Sequence, residues 1–437
     1  MTYEEAICYL ENACTFGIKP GLMRIHELLE RLGNPQNRYK TVHITGTNGK
    51  GSVTALIANG LTAAGRKTGR YTSPHLEAYT ERMSVDGREI SREDFAAVTE
   101  KISRAVEAMK AAGTEQPTEF EMLTAMAFLY FAEQDVAYAV IEVGMGGLLD
   151  STNVILPVVS VITNVALDHT AYCGTTVEEI ARHKAGIIKD GVPVITAADG
   201  AALDTVAERA AAKGAPLCVL GKDIAVTRRS LEKTAAGELV QHLRLRFTGG
   251  KETNLELPLL GAHQADNCAV AAAALQYIGT VDAAVTDRAV REGIRTVSWP
   301  GRFQVVRAGG KTVVIDGAHN PAGIETFCRT FDEVFGEMKR VFIFSVLADK
   351  EYRAVIKRLF RSDDKVFCAP APSPRTADPA LIAGLIGPRA ATASSPAKAL
   401  VQALTVTGAD AVCCVVGSLY MQGDIRRCLR QQYAASV

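Results

Sequence analysis

The chain has 437 residues, 48% of them hydrophobic and 22% charged, which is enough apolar mass for two or three packed domains. Its 48 basic and 48 acidic side chains cancel, arguing against a protein that clings to nucleic acid or anionic membrane. The start, MTYEEAICYLENA, is acidic and amphipathic, unlike a secretory signal, and no apolar run reaches the roughly 18 residues of a membrane span. The ten cysteines form no C-x-x-C pair, so buried thiols in a reducing, cytoplasmic setting are expected.

In chain order, GLMRIHELLERLG places Leu22, Ile25, Leu28, Leu29 and Leu32 on one helical stripe, ended by Gly33 and Pro35. KTVHI reads as a short buried strand feeding a glycine-rich loop, HITGTNGKGS, residues 43–52. SVTALIANGLTAAG follows as a helix with Val53, Leu56, Ile57 and Leu61 inward, stopped at Gly65. AYAVIEVG and PVVSVIT are apolar enough for central strands of a parallel sheet covered on both faces. Thr176 and Glu179 stand in capping-box spacing at the head of a helix. A strand at PVIT, a helix near 201–213 and a strand at PLCVLG continue the alternation. Residues 236–258 alternate in polarity around Gly249-Gly250 and predict an antiparallel hairpin. HQADNCAVAAAALQYIG is a small-residue helix, and another is expected near 283–295.

After a Trp-Pro-Gly turn at 299–301, KTVVIDG, RVFIFSVLAD, KVFCAP and DAVCCVVGS alternate with helical segments. The pattern predicts an α/β protein: a P-loop-type parallel-sheet domain over 1–296 with the antiparallel region inside it, then a smaller Rossmann-like α/β domain over 297–437. An active site between the two is expected.

The glycine loop carries the first chemistry. The common phosphate loop puts its hydroxyl residue directly after the lysine, whereas here Gly51 separates Lys50 from Ser52. The N–H groups of Asn48, Gly49, Lys50, Gly51 and Ser52 would open a helix and could wrap a phosphate, with Lys50 adding a mobile charge. Glu142 ends an apolar strand, where it could hold Mg²⁺ or simply be a partly solvated carboxylate. Asp168 and His169 follow another strand; a lone His is an unusual Mg²⁺ ligand. Lys184 lies two turns into the capped helix and by residue type alone reads as a surface lysine. Late in the chain, DGAHNP ends a strand with Asp316 and His319, WPGR carries Arg302, and GSLY turns a strand toward a helix at Ser418. No G-x-S-x-G motif is present to suggest a serine hydrolase.

HITGTNGKGS, YTSPHL, EVGMGG..DSTN, LDH...CG.T...IA..KAGI.K, LGAHQ..N, WPGRF, DGAHNP and GSLYM.GD.R occur in the order found in folylpolyglutamate synthases, which include bifunctional dihydrofolate synthases and belong to the Mur ligase superfamily. The resemblance runs from FGIKPGL (16–22) nearly to the C-terminus. It implies a ligase that uses ATP to convert a folate carboxylate to an acyl phosphate, which the amine of L-glutamate then attacks. By the same resemblance Asn48 to Ser52 would hold the ATP phosphates, and Asn267, Arg302 and Asp316 would contact the nucleotide. Ser73 and Glu142 would hold one Mg²⁺ and His169 a second, beside a carbamylated Lys184. Asp150, His319 and Ser418 would serve the glutamate side. Ser73, Pro74, His75 and Phe120 would line the folate pocket together with FGIKPGL.

The resemblance further admits a monovalent cation and dihydropteroate as a second acceptor. A monomer with small-molecule partners only is expected, and neither nucleic acid nor membrane. Leu148 stands where many family members carry a basic residue, and Ser345 and Glu351 replace a Gly and an Asp. The alternatives are another Mur-type ligase that adds an amino acid to a cell-wall precursor, or a nucleotide-binding switch without catalysis.

Overall fold

The computed structural model describes residues 1–13, 19–168, 170–235, 237–435 and 437. The chain divides into two compact units, Met1–Pro258 with Gln264–Val297, and Leu259–His263 with Ser298–Val437.

Among the described residues of the first unit, β1 (Lys40–Thr45), β2 (Thr68–Tyr71), β3 (Met83–Val85), β4 (Arg88–Glu89), β5 (Tyr138–Glu142), β6 (Val159–Ile162), β7 (Val194–Thr196) and β8 (Leu217–Val219) form one sheet. Its order is β4-β3-β2-β5-β1-β6-β7-β8. The six strands from β2 to β8 in that order run parallel, and β3 and β4 are antiparallel at one edge. β5 and β6 are buried throughout, as their apolar runs predict, and β1 is buried from Thr41 to Thr45 although it carries His43 and two threonines. Parallel pairing puts the carboxyl ends of β2, β5, β1 and β6 side by side, so the loops leaving them share one rim, the usual ligand edge of such sheets.

The helix at Met23–Arg31 buries Ile25, Leu28 and Leu29 as its periodicity predicts. The one after β1, Lys50–Ala63, departs from the single inward stripe: Ser52, Thr54, Ala55 and Gly60 are buried along with Val53, Leu56, Ile57 and Leu61. Its outer side is covered by two further helices, Ala262–Val281 and Asp287–Arg295. A Cβ at Gly60 would lie 2.5 Å from Leu275 Cδ1, and one at Gly293 would lie 2.5 Å from the Gly60 Cα. Helices Arg92–Ala111 and Glu119–Glu133, which the pattern reading passed over, supply much of the large core around Phe95, Phe128 and Phe131.

The hairpin expected over 236–258 is part of a three-stranded sheet. β9 (Ile224–Lys233) pairs with β10 (Leu239–Phe247), which pairs with β11 (Glu252–Leu257), all antiparallel. β9 carries TRRSLEK with little clean alternation and half-exposed positions, so its pattern was too weak to stand alone.

In the second unit β12 (Gln304–Ala308), β13 (Lys311–Ile315), β14 (Lys339–Phe344), β15 (Lys365–Cys368), β16 (Ala390–Thr392) and β17 (Ala411–Val416) form a six-stranded sheet ordered β12-β13-β17-β14-β15-β16. It is parallel except for β12 at the edge. β12 and β16, which were not anticipated, are edge strands. Of the described cysteines none is disulfide-bonded; Cys8 is exposed and Cys218 and Cys328 are half-buried, so the expected burial does not extend to all of them. No helix among the described residues is long and apolar enough to cross a membrane.

Candidate functional site

The glycine loop leaves β1 and enters the Lys50–Ala63 helix through Gly49 (φ 84°). Gly46 is also left-handed (φ 153°), and a Cβ there would fall 1.8 Å from Thr163 Oγ1. The loop is fastened to the segment after β6. Thr47 N–H donates to the Asn164 carbonyl (2.8 Å), Asn48 N–H to Asn164 Oδ1 (2.8 Å), and Thr163 Oγ1 to the Asn48 carbonyl (2.6 Å). Thr47 Oγ1 donates to the Ala166 carbonyl (3.0 Å) and accepts from Ala166 N–H (2.9 Å). These bonds fix the backbone of the loop at the start of its helix, where N–H groups and the helix dipole favour an anion. Lys50 Nζ folds back onto the carbonyls of Gly46 (3.0 Å) and Thr47 (3.3 Å), and Ser52 is buried in the first turn.

The Ala262–Val281 helix brings Asn267 to this loop: a Cβ on Gly49 would fall 2.4 Å from Asn267 Oδ1. Asn267 Nδ2 donates to Gln264 Oε1 (3.0 Å), which fixes its amide. The sequence-predicted nucleotide residues of the first unit therefore meet.

At the end of β5, Glu142 is 4% exposed and accepts from Ser73 N–H at 3.2 Å. The two predicted metal ligands lie on neighbouring strand ends beside the phosphate loop, with the Ser73–Pro74 peptide bond cis. A buried carboxylate at a strand end, with a serine on the neighbouring strand end, is a donor set that suits a hard cation completing its shell with phosphate and water oxygens. No group of three or more His, Cys, Asp or Glu side chains that could hold a metal occurs among the described residues. His169 lies outside the described residues.

Lys184 overturns its reading by residue type. It is 5% exposed, because its helix, Val177–Ala185, presses Ala181, Lys184 and Ala185 inward. Burial, with the Lys50 charge adding to it, pushes the amine down to about 7, while Cys173 and Asp168 oppose the shift. Gly147 explains the close fit: a Cβ there would fall 2.9 Å from the His183 carbonyl and 3.1 Å from that of Lys184.

Asp150 is buried and spends both oxygens on its own loop. Oδ2 accepts from Met145 N–H (2.9 Å), and Oδ1 accepts from Thr152 N–H (3.0 Å) and Oγ1 (2.6 Å). Thr152 Oγ1 in turn lies 2.8 Å from His43 Nε2 and, having given its proton to Asp150, accepts from that ring. Burial pushes the Asp150 carboxyl up and holds His43 neutral at about 3. His43 belongs to β1, so this chain of bonds and the Thr45 Oγ1 bond to the Gly146 carbonyl (2.6 Å) tie the phosphate-loop strand to the loop after Glu142. Neither His43 nor Thr152 was singled out from the sequence. The alternation that hid His43 inside an apolar strand was the only signal.

Phe120 packs across the same loop, since a Cβ on Gly144 would fall 2.4 Å from its ring. His75 Nδ1 accepts from Arg82 Nε (2.9 Å), and its ring lies 4.5 Å from that of Tyr79; burial and the Arg82 charge hold it neutral at about 3. Pro74 is exposed. Residues 16–18 of FGIKPGL lie outside the described residues, and Leu148 is 41% exposed.

In the second unit, Asp316 and His319 leave β13 and Ser418 leaves its parallel neighbour β17. Asp316 accepts from Phe303 N–H (2.7 Å) and Ala318 N–H (2.8 Å); burial pushes its carboxyl up against the opposing Arg302 charge. Arg302 lies along the next peptide, as a Cβ on Gly317 would fall 3.0 Å from its Nη1. His319 Nδ1 donates to the Gly317 carbonyl (2.8 Å), and buried Ser418 accepts from Tyr420 N–H (3.2 Å).

Residues 44–275 match the Mur ligase middle domain and residues 301–419 the Mur ligase glutamate ligase domain. The chain is 35% identical over 433 residues to the dihydrofolate synthase/folylpolyglutamate synthase of Bacillus subtilis, covering 98% of this chain and 99% of that one. A solved Mycobacterium tuberculosis folylpolyglutamate synthase complexed with ADP matches with a TM-score of 0.89 at 33% identity, covering 99% of this chain and all of that one. An FPGS–AMPPCP–folate complex matches at 0.84 with 34% identity, over 98% of this chain and 99% of the other. The chain belongs to the folylpolyglutamate/dihydrofolate synthase family of Mur-type ligases.

Proposed function

We propose that this protein is an ATP-dependent ligase that adds L-glutamate to reduced folates. The observation that carries the reading is a phosphate-type loop entering its helix at Gly49, beside a buried Glu142 that accepts from half-buried Ser73 on the neighbouring strand end, together with a buried Lys184 on the Val177–Ala185 helix. Three relatives' names point the same way: a folylpolyglutamate synthase, one complexed with ADP, and one with AMPPCP and folate.

In the proposed reaction a folate carboxylate oxygen attacks the γ-phosphorus of ATP. The bond to the β-phosphate oxygen breaks, leaving ADP and an acyl phosphate. The glutamate amine then attacks the acyl carbon and loses a proton, and inorganic phosphate leaves as the amide forms. The protein's part is positioning and charge neutralisation. The N–H groups of Gly49 to Ser52 are proposed to hold the phosphates, with Asn48 shaping the loop through its own N–H bond to Asn164, and Lys50 swings from its carbonyls to the γ-phosphate. Ser73 and Glu142 are the proposed holders of Mg²⁺, with His169 and a carbamylated Lys184 proposed for a second ion. Bound there, Mg²⁺ would neutralise charge on the phosphate oxygens. An amine held near 7 is uncharged often enough to take up CO₂, which supports the carbamate.

Asn267, Arg302 and Asp316 are proposed for the nucleotide, and His319 and Ser418 for glutamate. Asp150 keeps the loop after Glu142 in shape, and Phe120, Pro74 and His75 wall the folate. The protein is proposed to work as a cytoplasmic monomer on small molecules; unpaired cysteines suit a reducing compartment.

The test is phosphate release from ATP measured with each substrate omitted in turn. Release should require both a reduced folate and glutamate, and release indifferent to glutamate would sink the ligase reading. Replacing the folate by dihydropteroate in the same assay decides whether the second acceptor is used.

A further inference from the structure

Three consecutive residues, Glu119, Phe120 and Glu121, open the Glu119–Glu133 helix, and each grips a different segment of the first unit. Glu119 Oε1 accepts from Tyr79 Oη (2.7 Å), and Tyr79 stacks on His75 of the TSPHL segment while Arg82 lies 5.4 Å above its ring. Phe120 packs across Gly144 in the loop after Glu142 and lies 6.3 Å from the Tyr71 ring. Glu121, with its side chain 2% exposed, accepts at Oε2 from Arg24 Nε (3.1 Å). Arg24 is the second residue of the Met23–Arg31 helix, which follows KPGL. Its Nη2 donates to the Lys19 carbonyl (2.6 Å) and its Nη1 to Glu115 Oε2 (3.1 Å), while Lys19 also pairs with Glu115.

The turn itself is locked. Thr118 and Glu121 exchange bonds, Thr118 N–H to Glu121 Oε2 (2.7 Å) and Glu121 N–H to Thr118 Oγ1 (3.3 Å). These bonds fix the backbone of the turn from which all three side chains project.

We propose that this single helical turn is the fastening that shapes the folate pocket, with Glu119 and Glu121 as positioning residues that act through Tyr79 and Arg24. The inference rests on the ligase reading above. It adds that the three pocket walls, which come from distant parts of the sequence, are set by one rigid turn. Loosening the Tyr79 or the Arg24 grip therefore lets that one wall move, while the phosphate loop is held by its own bonds to Thr163 and Asn164 after β6.

The experiment is steady-state kinetics on Tyr79→Phe, Arg24→Lys and the pair together in the full chain. Tyr79→Phe keeps the ring and removes only the bond to Glu119. Arg24→Lys keeps the charge opposite Glu121 and loses the planar fork. Each single change should raise KM for the reduced folate about tenfold, the worth of one charge-assisted hydrogen bond, and leave KM for ATP within about twofold. Wild-type KM for folate in both folded variants overturns the proposal. An equal rise in KM for ATP also overturns it, because that marks a general loss of structure. If Arg24→Lys does not fold, Tyr79→Phe alone decides. No folate-dependent turnover by the unmodified protein would remove the ligase reading and this proposal with it.

Discussion

Replacing Lys184 with methionine removes an amine whose protonation the fold resists. Its value falls from 10.5 to about 7, chiefly by burial and then by the Lys50 charge. At about 1.4 kcal/mol per pH unit, that gap amounts to about 5 kcal/mol of stability withheld when the amine must be charged in both states. The sign follows from proton uptake. Above about 10.5 the amine is neutral folded and unfolded, and burial carries no electrostatic cost. As pH falls toward 7 the unfolded chain takes up a proton that the folded chain does not, so the cost grows, and below 7 it is complete.

Between about pH 6 and about pH 9 the cost should fall from about 5 to about 2 kcal/mol, so the native protein should gain about 3 kcal/mol relative to Lys184→Met. The assay is urea unfolding of both proteins across that range in CO₂-free buffer. Adding bicarbonate at the alkaline end should stabilise only the native protein, because a carbamate needs the neutral amine. Parallel stability curves for the two proteins would refute the reasoning.

Gly49→Ala puts a Cβ 2.4 Å from Asn267 Oδ1 and forces alanine into a left-handed conformation costing about 1 kcal/mol. Affinity for a non-hydrolysable ATP analogue should fall at least about tenfold by calorimetric titration, and native affinity in a folded variant would deny the loop its role. In the second unit Arg340 donates from Nη2 and Nε to both oxygens of Asp364, at 2.6 and 3.0 Å, with both side chains almost fully buried. Asp364→Ala strands that guanidinium and should cost about 3–5 kcal/mol in urea unfolding; a loss under about 1 kcal/mol would show that the pair contributes little.

The order of elements was legible because it rests on local rules. The apolar runs at 138–142 and 159–162 read as buried parallel strands, and Thr176 with Glu179 marked the start of the Val177–Ala185 helix. The weakly alternating β9 and the edge strands β12 and β16 escaped because half-exposed strands carry little periodic signal. The phosphate loop was readable for the same local reason: its glycines, lysine and helix start are contiguous.

What contiguity cannot express, only the tertiary structure decided. Lys184 looks like a surface residue by type, and its burial comes from Gly147 letting another loop approach within contact distance of its helix. His43 has no neighbours of interest in sequence, yet β1 beside β5 brings it to Thr152 and Asp150. Arg24 and Glu121 stand 97 positions apart and meet because two helices pack on one core. The sequence by itself determined which chemical groups this protein carries and on which kinds of element. The packing of the sheet and its covering helices determined which of those groups are stripped of water, and burial is what moves a lysine toward neutrality and fixes a carboxylate beside a phosphate loop.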